Sequence, residues 1–249
     1  MTKREIVSRY KGSMLGLLWT FINPLLMLAV YTFVFSVVFQ AKWGGAVDTE
    51  QSHFSVILFA GLIIHGFFSE VLLLSTNSIT GNSNYVKKVV FPLHILSLIT
   101  TFAALFNFVI GSIVLISISL LLGSPIHWTI IFTPLVILPL FVLAIGVGWF
   151  ISALGVYIRD IGQFMGVLTS VLLFMSPIFF SINMLPEYFQ KLMMLNPLTF
   201  IIEQFRAVFL WGQMPDFLGL VNYLIIAMIF TASSLVLFNK LKKGFADVL

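Results

Sequence analysis

The chain contains no cysteine. That excludes disulfides, thiolate zinc sites and a cysteine nucleophile, and it says little about compartment. Charge is almost as scarce: only 9% of the 249 residues are Asp, Glu, Lys or Arg, where a soluble domain carries about 25%. Thirteen cations and nine acids cannot keep the surface of a 27.9 kDa globule wet. Catalytic signatures are missing as well. Gly-x-Ser-x-Gly, His-Glu-x-x-His and the phosphate-cradling Gly-x-x-x-x-Gly-Lys-Ser/Thr do not occur. If ATP drives this protein, another chain binds it. What the sequence has in excess is apolar: 60% hydrophobic residues, 27 of them Phe, and a mean hydropathy of +1.10. Lipid is therefore the solvent for most of the chain, and the expected fold class is an all-α polytopic membrane protein.

A helix needs about 20 apolar residues to cross a bilayer. Six stretches are read as transmembrane helices, over about 17–39, 54–74, 93–122, 129–156, 164–180 and 218–238. The third and fourth are long enough to tilt. Pro134 and Pro139 predict a bent start to the fourth. The fifth is short, which predicts that its outer end is buried in protein. The first apolar run is too long for a cleavable signal peptide. Orientation follows from the basic residues. Six crossings put Lys3, Arg4, Arg9, Lys11, Lys87, Lys88, Arg159, Lys240, Lys242 and Lys243 on one side, and Lys42, Lys191 and Arg206 on the other with Asp48, Glu50, Glu187, Glu203 and Asp216. Both termini are thus expected in the cytoplasm. Trp43, Trp128, Tyr188 and Trp211 then form an outer aromatic belt, and Tyr10, Trp19, Tyr85 and Tyr157 an inner one. The net charge of +4 is scattered between apolar runs, so no nucleic-acid patch is expected.

Three pieces do not span. Residues 1–16 carry Ile6, Tyr10 and Met14 at spacing four among Lys3, Arg4, Arg9 and Lys11, the pattern of an amphipathic helix lying on anionic lipid. The 75–92 loop is polar until Tyr85-Val-Lys-Lys-Val-Val-Phe-Pro92. The outer segment 181–217 holds two short apolar stretches, Tyr188–Leu195 and Thr199–Trp211, separated by Asn196-Pro197. Each is too short to cross, so a re-entrant helix pair between spans five and six is expected.

Ionisable residues inside a span are functional candidates. Glu70 and His65, five positions apart, are offset by about 140° on a helix and so do not share a face. Their spacing superficially resembles the His-x4-Asp pair of acyltransferases, but the acid differs. The plainer reading is a carboxylate near the inner interface paired with a Lys. A membrane enzyme acting on lipid-linked sugars would need a better-placed partner for Glu70. Asn-Pro-Leu occurs at 23–25 and 196–198, which raises an aquaporin-like channel. Those two motifs fall near opposite faces and cannot meet at mid-membrane, and that family has Arg directly after the second motif, where this chain has Leu198 and then Thr199. Tyr31, Phe35 and Phe39 make a four-spaced aromatic stripe on the first span, and Phe174, Phe179 and Phe180 a similar group on the fifth. Such rings either stack on sugars or pack against lipid and neighbouring helices.

The opening Arg9-Tyr-Lys-Gly-Ser-Met-Leu-Gly-Leu-Leu-Trp-Thr-Phe-Ile-Asn-Pro24 resembles the Arg-Tyr-x-x-Ser-x-Leu-Gly-x-x-Trp-x-x-x-x-Pro start of type-2 ABC permeases that export polysaccharides such as O-antigen, capsule and teichoic acid. Tyr157-Ile-Arg-Asp-Ile161 and Leu185-Pro-Glu-Tyr…Asn196-Pro-Leu-Thr…Arg206 are similar to two further segments of that family. The resemblance implies a single permease domain over 1–249, in the inner membrane of a bacterium. It would form a homodimer carrying two copies of a nucleotide-binding ATPase subunit, with ATP and Mg bound there and no cofactor on this chain. The interface helix with Arg4, Arg9, Tyr10 and Lys11, and the loop elements Asn82, Tyr85, Lys87, Lys88, Phe91, Tyr157, Arg159 and Asp160, would dock that ATPase. Tyr31, Phe35, Phe39 and Phe174 would line the channel. Glu187, Asn196, Pro197, Glu203 and Arg206 would form an outer gate. The expected cargo is a lipid-linked polysaccharide; a drug or a lipid is the alternative within the same family.

Overall fold

The computed structural model describes residues 2–10, 13–39, 43, 54–87 and 91–248. Lys11 and Lys88 lie outside the described residues, and only the backbone of Arg9, Tyr10 and Lys87 is described. Helix is the only regular structure in the described part, and no strand occurs there. A short α1 (Thr2–Tyr10) precedes α2 (Trp19–Tyr31), which runs on as a π-helix over Thr32–Val38. Next come α3 (Phe54–Ser75), a tight turn with α4 (Ser83–Lys87), and α5 (His94–Leu121). A 3₁₀ turn at Trp128–Phe132 leads into α6 (Thr133–Tyr157), where Pro134 occupies the first helical turn and needs no amide partner. Then follow α7 (Ile161–Phe174), α8 (Glu187–Met193), α9 (Pro197–Phe209), α10 (Phe217–Leu241) and α11 (Phe245–Val248).

Four of these units are long and apolar enough to cross a membrane: α3, α5, α6 with its preceding turn, and α10 with its tail. The α2 unit and α7 are shorter apolar helices. The apolar stretch read over 164–180 is helical only as far as Phe174. Pro177 explains the stop, because it cannot donate an amide and it disfavours helix at Ser176 before it.

α3 is the axis of the bundle. Its Phe59, Ile64, Phe67 and Phe68 are buried with Phe108 and Leu115 of α5, Leu140 and Ile151 of α6, and Ile201, Phe205 and Val208 of α9. In lipid the hydrophobic effect does not press helices together, so close packing and hydrogen bonds must. The α6–α10 seam shows how. A Cβ on Gly146 would fall 2.7 Å from the Thr231 Cα, so the backbones touch only because that residue is glycine. Thr231 Oγ1 donates to the Val142 carbonyl across the same seam at 2.8 Å. A second, smaller cluster joins Ile79, Leu96, Trp149, Val156, Phe238 and Phe245 at one end of the bundle. The short helix α9 is enclosed near the opposite end. Its buried Leu198, Ile201, Ile202, Phe205 and Val208 make it a core element, which accounts for its apolar character despite a length too short to span.

Candidate functional site

At one end of the bundle the sequence places polar turns where α3 meets α5 and where α6 meets α7. The structure brings those turns together. A Cβ on Gly155 would collide with the Thr76 carbonyl oxygen, so the turn after α3 rests directly on the last turn of α6. α6 breaks at Tyr157 because Ile158 is extended, and α7 begins three residues on. Tyr157, Arg159 and Asp160 are exposed on this corner. The Tyr157 hydroxyl donates to the Leu241 carbonyl at 2.8 Å, and its ring meets Phe245 at 5.9 Å. Asn82 is exposed and donates to the Ser78 carbonyl at 2.9 Å. Tyr85 and Phe91 lie 5.0 Å apart and pack on the small cluster. α1 closes over the same place: Arg4 and Glu5 border a cavity of about 420 Å³ with Asn77, Asn82 and Tyr85. Helix α1, the Asn82–Tyr85 turn, the Tyr157–Asp160 corner and the C-terminal tail thus occupy one end.

The other end is organised around α9. Asn196 is its N-cap: Oδ1 accepts from the Leu198 amide at 2.9 Å, while Nδ2 donates to Met175 O and Ser176 Oγ, each at 2.9 Å. Pro197 follows at the first helical position, and its carbonyl accepts from the Tyr223 hydroxyl at 2.8 Å. Arg206 is fully buried. Its guanidinium donates to the carbonyls of Ile57, Pro177 and Ile178 and pairs with Glu203 Oε1 at 3.1 Å. It also stacks 4.4 Å above Trp43. Burial pushes the Glu203 carboxyl above its ordinary range and the guanidinium down to about 10; the ion pair opposes both shifts. Of the five residues predicted for this end, Asn196, Pro197, Glu203 and Arg206 share α9. Glu187 sits apart and exposed at the start of α8.

The two aromatic stripes form one surface. Tyr31, Phe35 and Phe39 run along the α2 unit with centroids 6.4 and 5.8 Å apart. Phe179 stacks on Phe35 at 5.3 Å and on Phe174 at 5.8 Å, joining the α2 row to the end of α7. Phe54 continues the row from Phe35 toward Trp43. Phe39 and Phe174 are more than half exposed, so this surface has an open side.

Glu70 has a partner that the sequence reading did not name: the Asn107 amide nitrogen on α5 lies 2.9 Å from both its carboxylate oxygens. His65 instead reaches α7, with Nε2 3.0 Å from the Thr169 carbonyl. Although about 140° apart on α3, both residues border one cavity, because it wraps around the helix. Asn107 was the missed residue. An amide near the middle of an apolar run of 28 residues was the available signal.

An all-helical bundle with long apolar helices, polar turns gathered at one end and a buried short helix near the other is the architecture of a polytopic membrane protein. The chain belongs to the ABC-2 type transporter family, whose model matches residues 1–210. It is similar to the O-antigen export system permease protein RfbA of Klebsiella pneumoniae, 28% identical over 100% of this chain and 93% of that protein. The RfbA protein of Myxococcus xanthus is 24% identical over 99% of this chain and 93% of its own length. The capsule polysaccharide export inner-membrane protein CtrC of Neisseria meningitidis serogroup B is 25% identical over 82% of this chain and 75% of its own.

Proposed function

We propose that the chain is the permease subunit of an ATP-driven exporter that moves a lipid-linked polysaccharide out of the cytoplasm across the inner membrane. α2 and α7 complete a set of six spans, with both termini cytoplasmic and α8–α9 forming a re-entrant cap on the outer side. Two copies pair and bind two nucleotide-binding subunits, which hold the ATP and Mg. The observation that carries the reading is the contact of the turn after α3 with the α6–α7 corner. Two loops in contact at the cytoplasmic end give an ATPase one continuous surface to push on, and α7 leads from that corner to the aromatic surface. The near-full-length likeness to O-antigen and capsule export permeases supports the cargo class. Flat ring faces suit a sliding sugar chain, which needs contact area without strong fixed charge.

The test is charge reversal at exposed Arg159 in the complex with its ATPase. Arg159→Glu uncouples ATP hydrolysis from polysaccharide export while the permease still inserts. Unaltered coupling sinks the assignment. A disulfide engineered between α9 and the 177–178 turn blocks export if the outer cap must move; continued export rejects the gate.

A further inference from the structure

Past Leu241 the chain doubles back through a 3₁₀ turn at Lys242–Gly244 and lays α11 against both α4 and α6. The seating is one-sided. Phe245 is fully buried, whereas Lys243, Ala246 and Asp247 around it are exposed. Phe245 meets the Phe238 ring edge-on at 5.7 Å and the Tyr157 ring at 5.9 Å. Those partners belong to α10 and α6. The same small cluster takes in Ile79 from the turn after α3, and Tyr85 and Phe91 pack on it from α4 and the approach to α5. One side chain from the tail is thus built into the cluster that joins the end of α6, the end of α10 and the loop between α3 and α5.

Tyr157, the last residue of α6, is held by the tail in three ways. Its hydroxyl donates to the Leu241 carbonyl at 2.8 Å, and its ring packs on Phe245. A Cβ on Gly244 would fall 2.6 Å from that hydroxyl, so the tail lies flush against it only because residue 244 is glycine. The α3 turn already rests on α6 at Gly155. Gly155 and Tyr157 project from different faces of α6, about 200° apart. A single contact leaves a pivot; a second, on another face, fixes an orientation.

We propose that the tail clamps the surface that receives the ATPase, with Phe245 as a positioning residue. It holds the α4 turn and the α6–α7 corner in one fixed arrangement, so that a push on either moves both. The proposal rests on the ATP-driven permease reading and adds to it a part for the C-terminal tail.

The chain has no cysteine, so two introduced thiols carry nitroxide labels without background from the chain itself. Asn84→Cys in α4 and Gln163→Cys in the first turn of α7 replace exposed residues. Labelled chain is diluted into unlabelled chain, so that distances within one chain dominate. In the transporter with its ATPase, the natural tail gives one narrow distance distribution, and Phe245→Ala broadens it. In the same variant without labels, ATP hydrolysis per inserted complex stays within about twofold while glycan export falls about tenfold. Phe245→Leu, which keeps an apolar filling, recovers most of the export. If Phe245→Ala does not insert, Gly244→Ala takes its place, because its methyl lifts the tail off Tyr157 and leaves Phe245 in the chain. A distribution that stays narrow, or hydrolysis and export that fall in equal proportion, overturns the clamp. Absence of ATP-dependent export by the unaltered complex rejects the permease reading instead. The distance measurement still decides the clamp in that case, since it needs neither cargo nor hydrolysis.

Discussion

The two ends of this bundle handle their arginines in opposite ways. At the α9 end Arg206 is turned inward, fully buried and spread over three carbonyls and Glu203. At the other end Arg4, Arg159 and Asp160 are exposed, and the fold is held instead by rings and backbone contacts such as Tyr157 to Leu241 and Tyr85 to Phe91. A charge spent on internal hydrogen bonds stabilises one chain, whereas a charge left on the surface is available to a second one. The comparison therefore separates an end braced by an internal charge from an end whose charges face outward.

Arg206→Leu is the strongest way to break that contrast. It strands a half-buried Glu203 carboxyl and three carbonyls, and should destabilise the protein by about 2–4 kcal/mol in thermal unfolding of the detergent-solubilised chain. A loss below about 1 kcal/mol would mean that the α9 end is not held by its buried charge. Gly155→Ala comes next. Its new methyl collides with the Thr76 carbonyl, and forced overpacking of this kind costs about 1–3 kcal/mol; equal stability would show that the two turns part without strain. Tyr157→Phe removes a single hydrogen bond to the tail and should cost about 1 kcal/mol by the same measurement. Arg159→Ala should change stability by no more than about 0.5 kcal/mol while reducing polysaccharide export by the ATPase-bound transporter. An Arg159→Ala protein that exports normally would erase the distinction between the two ends.

Much of this was legible in sequence for a simple reason. In lipid a helix must be apolar over its whole length, so α3, α5, α6 and α10 stand out as runs without reference to their neighbours. The Asn196-Pro197 boundary was also local, since an N-cap and a first-turn proline act within three residues. What the sequence hid depends on residues far apart in the chain. Arg206 reads as an outward-facing cation when loop charges are tallied, and only the carbonyls of Ile57, Pro177 and Ile178 reveal that it points inward. The contact of Glu70 with Asn107 stayed hidden because the two are 37 positions apart on different helices. The end of α7 at Phe174 was readable from Pro177, but the continuous apolar character up to Phe180 masked it.

The buried arginine also constrains how the chain can be assembled during synthesis. A guanidinium is expensive to place in a membrane alone, and α9 cannot shelter it on its own. Every group that receives Arg206 lies earlier in the chain: Trp43, Ile57, Pro177, Ile178 and Glu203. When Arg206 leaves the ribosome all of its partners have already been made, so no later segment has to be awaited to receive its charge.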